Sequence, residues 1–279
     1  MGTIELRQTE NGDGERSGEH LGTLPRQVSK ASMGIILVSC ITCWLSITWR
    51  LNSASSGVPT AMDRHVAGQG ENGDWAFIGR YRKANAEFIG ARIRPDVVFL
   101  GDSITDQWAN FWTYQPDFAR DPARVGRGIA GQTSPQILVR FGSDVINLKP
   151  RVVHIMAGTN DIAGNTGHET DEEIEGYISN MVELAQLHGI KVVLASIPPA
   201  ADFFWHKGMM PAPRIRALNK RLETYAMQQK LTYADYWSVL SAPDGGMRRD
   251  FSDDGVHPSE NGYLAMEPLA KAAITKALQ

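Results

Sequence analysis

Five short apolar runs, separated by stretches with helical periodicity, predict an α/β domain built on a parallel sheet of about five strands. The runs fall at 96–100, 124–129, 151–157, 191–197 and 231–236. Two further observations agree. The stretches between them carry helix start and stop signals, and several runs end in Gly-containing polar motifs of the kind that turn a strand into a helix. Alternation of this sort implies a sheet covered on both faces. With 42% hydrophobic residues the 279-residue chain can bury such a core, and a net charge of −3 offers no broad basic surface for nucleic acid.

The domain is expected over residues 74–279. Residues 1–30 are polar, Gly-rich and mixed in charge, and are expected to be disordered. Ala31 to Trp49 then carries no charge, between Lys30 and Arg50. At about 1.5 Å per residue that run nearly crosses a hydrocarbon core of about 30 Å. Segment 31–50 therefore reads as a transmembrane signal anchor, with Arg26 and Lys30 favouring a cytoplasmic N-terminus, or as a signal peptide cleaved near Ser53-Ala54-Ser55. Leu37-Val38-Ser39-Cys40 resembles a lipoprotein signal box, but the apolar run continues past Cys40. A buried core helix is the remaining reading, against which both flanks look unstructured. The first three readings all place the rest of the chain outside the cytoplasm, exported to a periplasmic or extracellular face and, for an anchor, held at the membrane by 31–50. Cys40 and Cys43 are the only cysteines, so the domain has no internal disulfide or thiolate metal site. Residues 51–73, rich in Ser, Gly, Ala and Pro, read as a flexible linker.

Within the domain, Asp74 can cap a helix through Trp75, Phe77, Ile78, Tyr81 and Phe88 that ends near Gly90. Val97 to Leu100 is a strand, Gly101 turns the backbone, and Asp102 or Ser103 can cap the next helix. Ser134-Pro135, before Ile137, Leu138, Val139 and Phe141, reads as an N-cap followed by Pro at the first helical position. Thr170 and Glu173 have capping-box spacing. Ile174, Tyr177, Ile178, Met181 and Ala185 then share one helical face, and Gly189 can close that helix. Arg214 to Gln229 is another helix, and Ser259 to Leu278 the last, bent or interrupted at Pro268.

Four motifs carry candidate chemistry. Gly101-Asp102-Ser103, Gly128-Ile129-Ala130-Gly131 and Ala157-Gly158-Thr159-Asn160-Asp161 follow strands, and Asp254-Gly255-Val256-His257-Pro258 precedes the last helix. Each alone is an ordinary turn or cap. Together, on a parallel sheet, they meet at the carboxyl edge where ligands bind. A serine hydroxyl needs an adjacent base, which His257 can supply, and Asp254 can hold the imidazole tautomer. An oxyanion needs fixed donors, for which the backbone N–H groups of Ser103 and Gly131 and the amide of Asn160 are candidates. His154 reads as a core histidine; His168, His188 and His206 lack ligand spacing, so no metal site is expected. Trp108, Phe111, Trp112 and Tyr114 read as a packed helix face rather than an acyl pocket, while 203–207, Phe-Phe-Trp-His-Lys, can form part of a substrate mouth.

These four motifs resemble those of the SGNH hydrolase superfamily, the GDSL esterases and lipases, over roughly residues 74–279. Segments Gly128 to Phe141 and Gly158 to Gly167 also resemble a bacterial acylhydrolase subgroup similar to platelet-activating-factor acetylhydrolase. The resemblance implies a flavodoxin-like three-layer α/β/α sandwich with neither metal nor organic cofactor. It implies Ser103 as nucleophile, Asp254 and His257 as its partners, and Ser103, Gly131 and Asn160 as the oxyanion hole. The expected activity is hydrolysis of small, acetyl-like esters of a carbohydrate, aryl or lipid alcohol. A lysophospholipase, a thioesterase, acyl transfer to another alcohol, or a non-catalytic glycan- or lipid-binding module are the alternatives.

Overall fold

The computed structural model describes residues 73–111 and 123–279. The expectations for 1–30, 31–50 and nearly all of 51–73 lie outside these residues, as do Trp112 and Tyr114. Among the described residues no helix is long and apolar enough to cross a membrane.

The elements run α1 (Arg82–Gly90), β1 (Val97–Gly101), α2 (Ser103–Phe111), β2 (Arg124–Gly128), α3 (Ser134–Val139), α4 (Phe141–Asp144), β3 (Val152–Met156), α5 (Thr159–Ile162), α6 (Asp171–Leu187), β4 (Lys191–Ala195), α7 (Ala212–Gln228), β5 (Thr232–Ala234), α8 (Trp237–Leu240) and α9 (Glu260–Leu278). The strands form one parallel sheet in the order β2-β1-β3-β4-β5. This is the flavodoxin-like order, with its switch point between β1 and β3, where the crossovers change face and a crevice opens.

Successive strand residues point to opposite faces, and both faces are buried. Val98, Leu100, Val153, Ile155, Val192 and Leu194 pack with Ile137, Ile174, Ile178, Met181, Leu218 and Leu222 from α3, α6 and α7. Val97, Phe99, Val152, Met156 and Val193 pack with Ile104 and Trp108 of α2 and with Tyr263, Met266, Ala270 and Ile274 of α9. The result is the expected three-layer sandwich.

Three local expectations are corrected. The first helix begins at Arg82, not after Asp74, because Phe77 adopts φ 53° and breaks the run. Asp74 instead closes a turn, its carboxylate accepting the N–H groups of Ile78 and Gly79 at 2.9 and 2.7 Å. The cap of α3 is Thr133, with Gln136 completing its capping box, and Pro135 stands second rather than first in the helix. Ser134 is committed elsewhere, to Asp161. Helix α9 runs on through Pro268 without interruption. Its buried Met266, Ala270 and Ala273 hold it against the sheet despite the one backbone donor that proline lacks.

Candidate active site

Ser103 is the first residue of α2, directly beyond the carboxyl end of β1. Asp102, not Ser103, caps this helix: its Oδ1 accepts the Ile104 N–H at 2.9 Å. The turn requires glycine in the neighbouring strand, because a Cβ on Gly128 would run into the backbone of Thr105 and Asp106. Helix α2 is fixed from the other layer. Trp108 stacks on Tyr263 with ring centroids 5.7 Å apart, and the Tyr263 hydroxyl donates to the Ile104 carbonyl at 2.9 Å. Trp108 is thus a packed residue, as its helical position suggested.

The loop before α9 brings His257 to Ser103. The Ser103 Oγ to His257 Nε2 distance is 2.9 Å, and His257 Nδ1 lies 2.7 Å from Asp254 Oδ2. A carboxylate only accepts, so Nδ1 carries the proton and Nε2 is left with its lone pair toward the serine. The loop is tied internally. Asp254 Oδ1 accepts the N–H groups of Val256 and His257, both at 2.8 Å, and Ser252 Oγ donates to the His257 carbonyl at 2.8 Å. Burial alone would raise the Asp254 pKa, but its hydrogen bond and electrostatic interaction with His257 and these backbone donors hold it at about 2. Ser103 and His257 are 5% and 8% exposed, whereas the Asp254 side chain stands at the rim.

The opposite wall is the 129–133 loop and α5. Gly131 adopts φ 78°, a conformation open to glycine at no steric cost. Asn160 Nδ2 donates to the Gln132 carbonyl at 2.9 Å and lies 3.5 Å from Asp102 Oδ2. Asn165 Nδ2 reaches the Gly131 carbonyl at 3.1 Å and Asn160 Oδ1 at 2.9 Å. Asp161 Oδ1 accepts both the N–H and the hydroxyl of Ser134, joining α5 to α3. Its other oxygen, Oδ2, is buried without a hydrogen-bond partner among the described residues. Burial raises the Asp161 pKa, and burial together with the nearby Asp161 charge raises Glu169 to about 7. Burial likewise pushes Asp102 up to about 6.

Beneath this wall lies Arg140, fully buried. Its Nε donates to Gln132 Oε1 at 2.6 Å, its Nη2 to the Gly101 carbonyl at 2.8 Å, and its Nη1 to the Arg127 carbonyl at 2.8 Å and to Asp144 Oδ2 at 3.0 Å. One guanidinium therefore ties the ends of β1 and β2 to the loop that carries Gly131.

The structure thus brings Ser103, His257 and Asp254 into one hydrogen-bonded line and sets Gly131 and Asn160 on the facing wall. The aromatic segment borders both. Phe204 lies 6.2 Å from His257, ring to ring, and Trp205 Nε1 donates to Asn165 Oδ1 at 3.1 Å. His154 is a core residue, its Nε2 2.9 Å from the Tyr236 hydroxyl, and burial lowers its pKa to about 3. Among the described residues no cluster of three or more His, Cys, Asp or Glu side chains is placed to hold a metal ion.

Residues 99–265 match the family model described as GDSL-like lipase/acylhydrolase. The chain belongs to this family. This GDSL-like acylhydrolase is 45% identical to a candidate acylhydrolase of Bacteroides fragilis NCTC 9343, with a TM-score of 0.68 over 74% of this chain and 99% of that one. It is 42% identical to a GDSL-like lipase of Bacteroides thetaiotaomicron VPI-5482, with a TM-score of 0.67 over 73% and 99% of the two chains. A curated Bacillus subtilis (strain 168) protein, the uncharacterized lipoprotein YqeF, is 32% identical over 123 residues, which is 38% of this chain and 50% of that one. The chain thus spans about half the length of that relative.

Sequence reading did not single out Asn165, Arg140 or Glu169. Asn165 lies between Asn160 and Gly167, in a stretch that resembles the acylhydrolase subgroup but offers no local pattern that marks this residue. Arg140 carried a faint signal, as a charge inside an otherwise apolar helical run from Ile137 to Phe141.

Proposed function

We propose that this GDSL-like acylhydrolase is a serine esterase for small acyl groups, with Ser103 as nucleophile, His257 as general base and acid, and Asp254 as the group that orients it. The observation that carries this reading is the 2.9 Å approach of Ser103 Oγ to Nε2 of a histidine whose Nδ1 is held by Asp254. Ser103 Oγ attacks the ester carbonyl carbon while its proton passes to His257 Nε2. Ser103 N–H, at a helix start with no preceding turn to bond, faces the developing oxyanion together with the Gly131 N–H. Asn160 Nδ2 spends one proton on Gln132. The other, only loosely directed at Asp102, is available as the third donor. Collapse breaks the ester C–O bond, and the alcohol leaves with the proton from Nε2. Water, deprotonated by the same nitrogen, then releases the acid and frees Ser103.

The acyl group of this reading is acetyl-sized, with Phe204, whose ring lies 6.2 Å from that of His257, bordering the site. The alcohol, whether of a sugar, an aryl group or a lipid, faces the open side. Export and anchoring by segment 31–50 complete the proposal; the Bacillus subtilis relative, named as a lipoprotein, supports an extracytoplasmic location.

A panel of chromogenic aryl esters from acetyl to long acyl tests the reading. The wild type should turn over the short esters, and Ser103→Ala should lose at least about 10³-fold in kcat. Unchanged turnover in Ser103→Ala removes the assigned nucleophile. Preference for long acyl chains or thioesters redirects the substrate class.

A further inference from the structure

We infer that Asn165 is a positioning residue that fixes the amide of Asn160 and couples it to the aromatic loop through Trp205; this rests on the esterase reading above. One atom of this network has a role that is not open to choice. An indole N–H can only donate. Trp205 Nε1 lies 3.1 Å from the Asn165 amide, so that end of the amide is the oxygen. The nitrogen end of Asn165 then faces two acceptors, the Gly131 carbonyl at 3.1 Å and Asn160 Oδ1 at 2.9 Å. Asn160 is oriented in turn: its oxygen points to Asn165, and its nitrogen points to the Gln132 carbonyl at 2.9 Å and toward Asp102. Both ends of this chain are fixed, one by an obligate donor and the other by a backbone acceptor, so neither amide can flip without breaking bonds.

The consequence for the reaction is directional. A flipped Asn160 would present its oxygen, a repulsive lone pair, to the developing oxyanion. Asn165 holds the amide the productive way round, and the same NH2 group donates to the Gly131 carbonyl, so one side chain ties Asn160 to the residue that carries a second proposed donor. Its backbone N–H also bonds the Asn160 carbonyl at 3.0 Å, which anchors it to the end of α5. Trp205 stacks on Phe203 at 5.0 Å and meets Phe204 edge-on at 4.7 Å, and Phe204 approaches His257. The aromatic loop therefore links the base on one wall to the donor set on the other.

The test is steady-state kinetics of the full chain on an acetyl aryl ester, with thermal melting as a folding control. Asn165→Ala should lower kcat about 10- to 100-fold, less than the loss of a whole donor, with KM changed by less than about threefold. Asn165→Asp should be at least as impaired, since an acceptor-only carboxylate then faces two acceptor oxygens. Trp205→Phe keeps the ring and loses only the N–H, and should lower kcat about three- to tenfold. Added to Asn165→Ala it should cost nothing further, because the two act in one chain. Wild-type kcat in Asn165→Ala, or independent additive losses, overturns the inference. If Asn165→Ala does not fold, Trp205→Phe decides alone: an unchanged kcat overturns it. A parallel Ser103→Ala assay separates this outcome from failure of the esterase reading, which that variant alone reports.

Discussion

On one side of Ser103 the Asp254 carboxyl is held at about 2; on the other, burial raises Asp161 and brings its partner Glu169 to about 7. The difference lies in donors. Asp254 receives two backbone N–H groups and the His257 ring, and its side chain reaches solvent. Asp161 receives the N–H and hydroxyl of Ser134 on one oxygen, its other oxygen is buried without a hydrogen-bond partner among the described residues, and Glu169 stands close enough for the two carboxyls to act on each other. The first wall keeps a negative charge where a proton must come and go. The second keeps an interlocked set of groups where donors must not move. Charge is placed by local hydrogen bonding rather than by depth alone.

Removing the charge from the first wall should have the largest effect. In Asp254→Asn the new amide can donate to Nδ1, favouring the tautomer with a proton on Nε2, which can no longer accept one from Ser103. The kcat on a short aryl ester should fall about 10³- to 10⁴-fold, and the melting temperature near neutral pH should drop because the ionised Asp254 stabilises the folded chain there. A loss of under tenfold would mean that Asp254 does not orient the base.

The second wall should fail chiefly through stability. Arg140→Ala leaves the buried Asp144 without its cation and strips donors from the Gly101 and Arg127 carbonyls. Urea denaturation should show a loss of about 3–5 kcal/mol. A variant as stable as the wild type would show that these carbonyls find other partners.

The smallest effect concerns the proton in the Asp161–Glu169 pair. The Glu169 pKa is raised in the folded state, so its stabilising contribution is complete below its ordinary value of 4.5 and is lost as pH rises through about 7. Glu169→Gln keeps the shape of the side chain and does not titrate. The melting temperature of the variant, relative to wild type, should therefore increase as pH rises through that window. A constant difference would show that Glu169 does not titrate in that window.

The fold was legible wherever a strand or helix is governed by burial. The runs at 96–100 and 151–157 are apolar because both faces of β1 and β3 are covered, and the Thr170–Glu173 capping box marks α6 without tertiary help. Prediction failed where distant groups decide. Ser134 looked like a cap but is drawn to Asp161, twenty-seven residues away, and the turn at Phe77 overrides a helical pattern. The same limit applies to the site. Ser103, His257 and Asp254 lie in motifs with recognisable local form, and the structure brings them together. Asn165 and Arg140 act through bonds to Trp205, Gly131, Gln132 and Gly101 that no spacing in the sequence announces.

The family match begins at Phe99 and ends at Ala265, yet the unit that must be expressed to stay in solution is wider. Strand β2 is an outer strand, and the turn and helix before β1 cover it: the Tyr81 hydroxyl donates to the Gly128 carbonyl, Arg127 Nε donates to Asn85 Oδ1 at 2.9 Å, and the Arg127 guanidinium lies 4.7 Å from the centre of the Tyr81 ring. The other outer strand, β5, is only three residues long. A piece cut to 99–265 would lose the cover on β2 together with Met266, Ala270 and Ile274 from the core. It would present an unguarded strand to its neighbours, the template on which chains associate edge to edge.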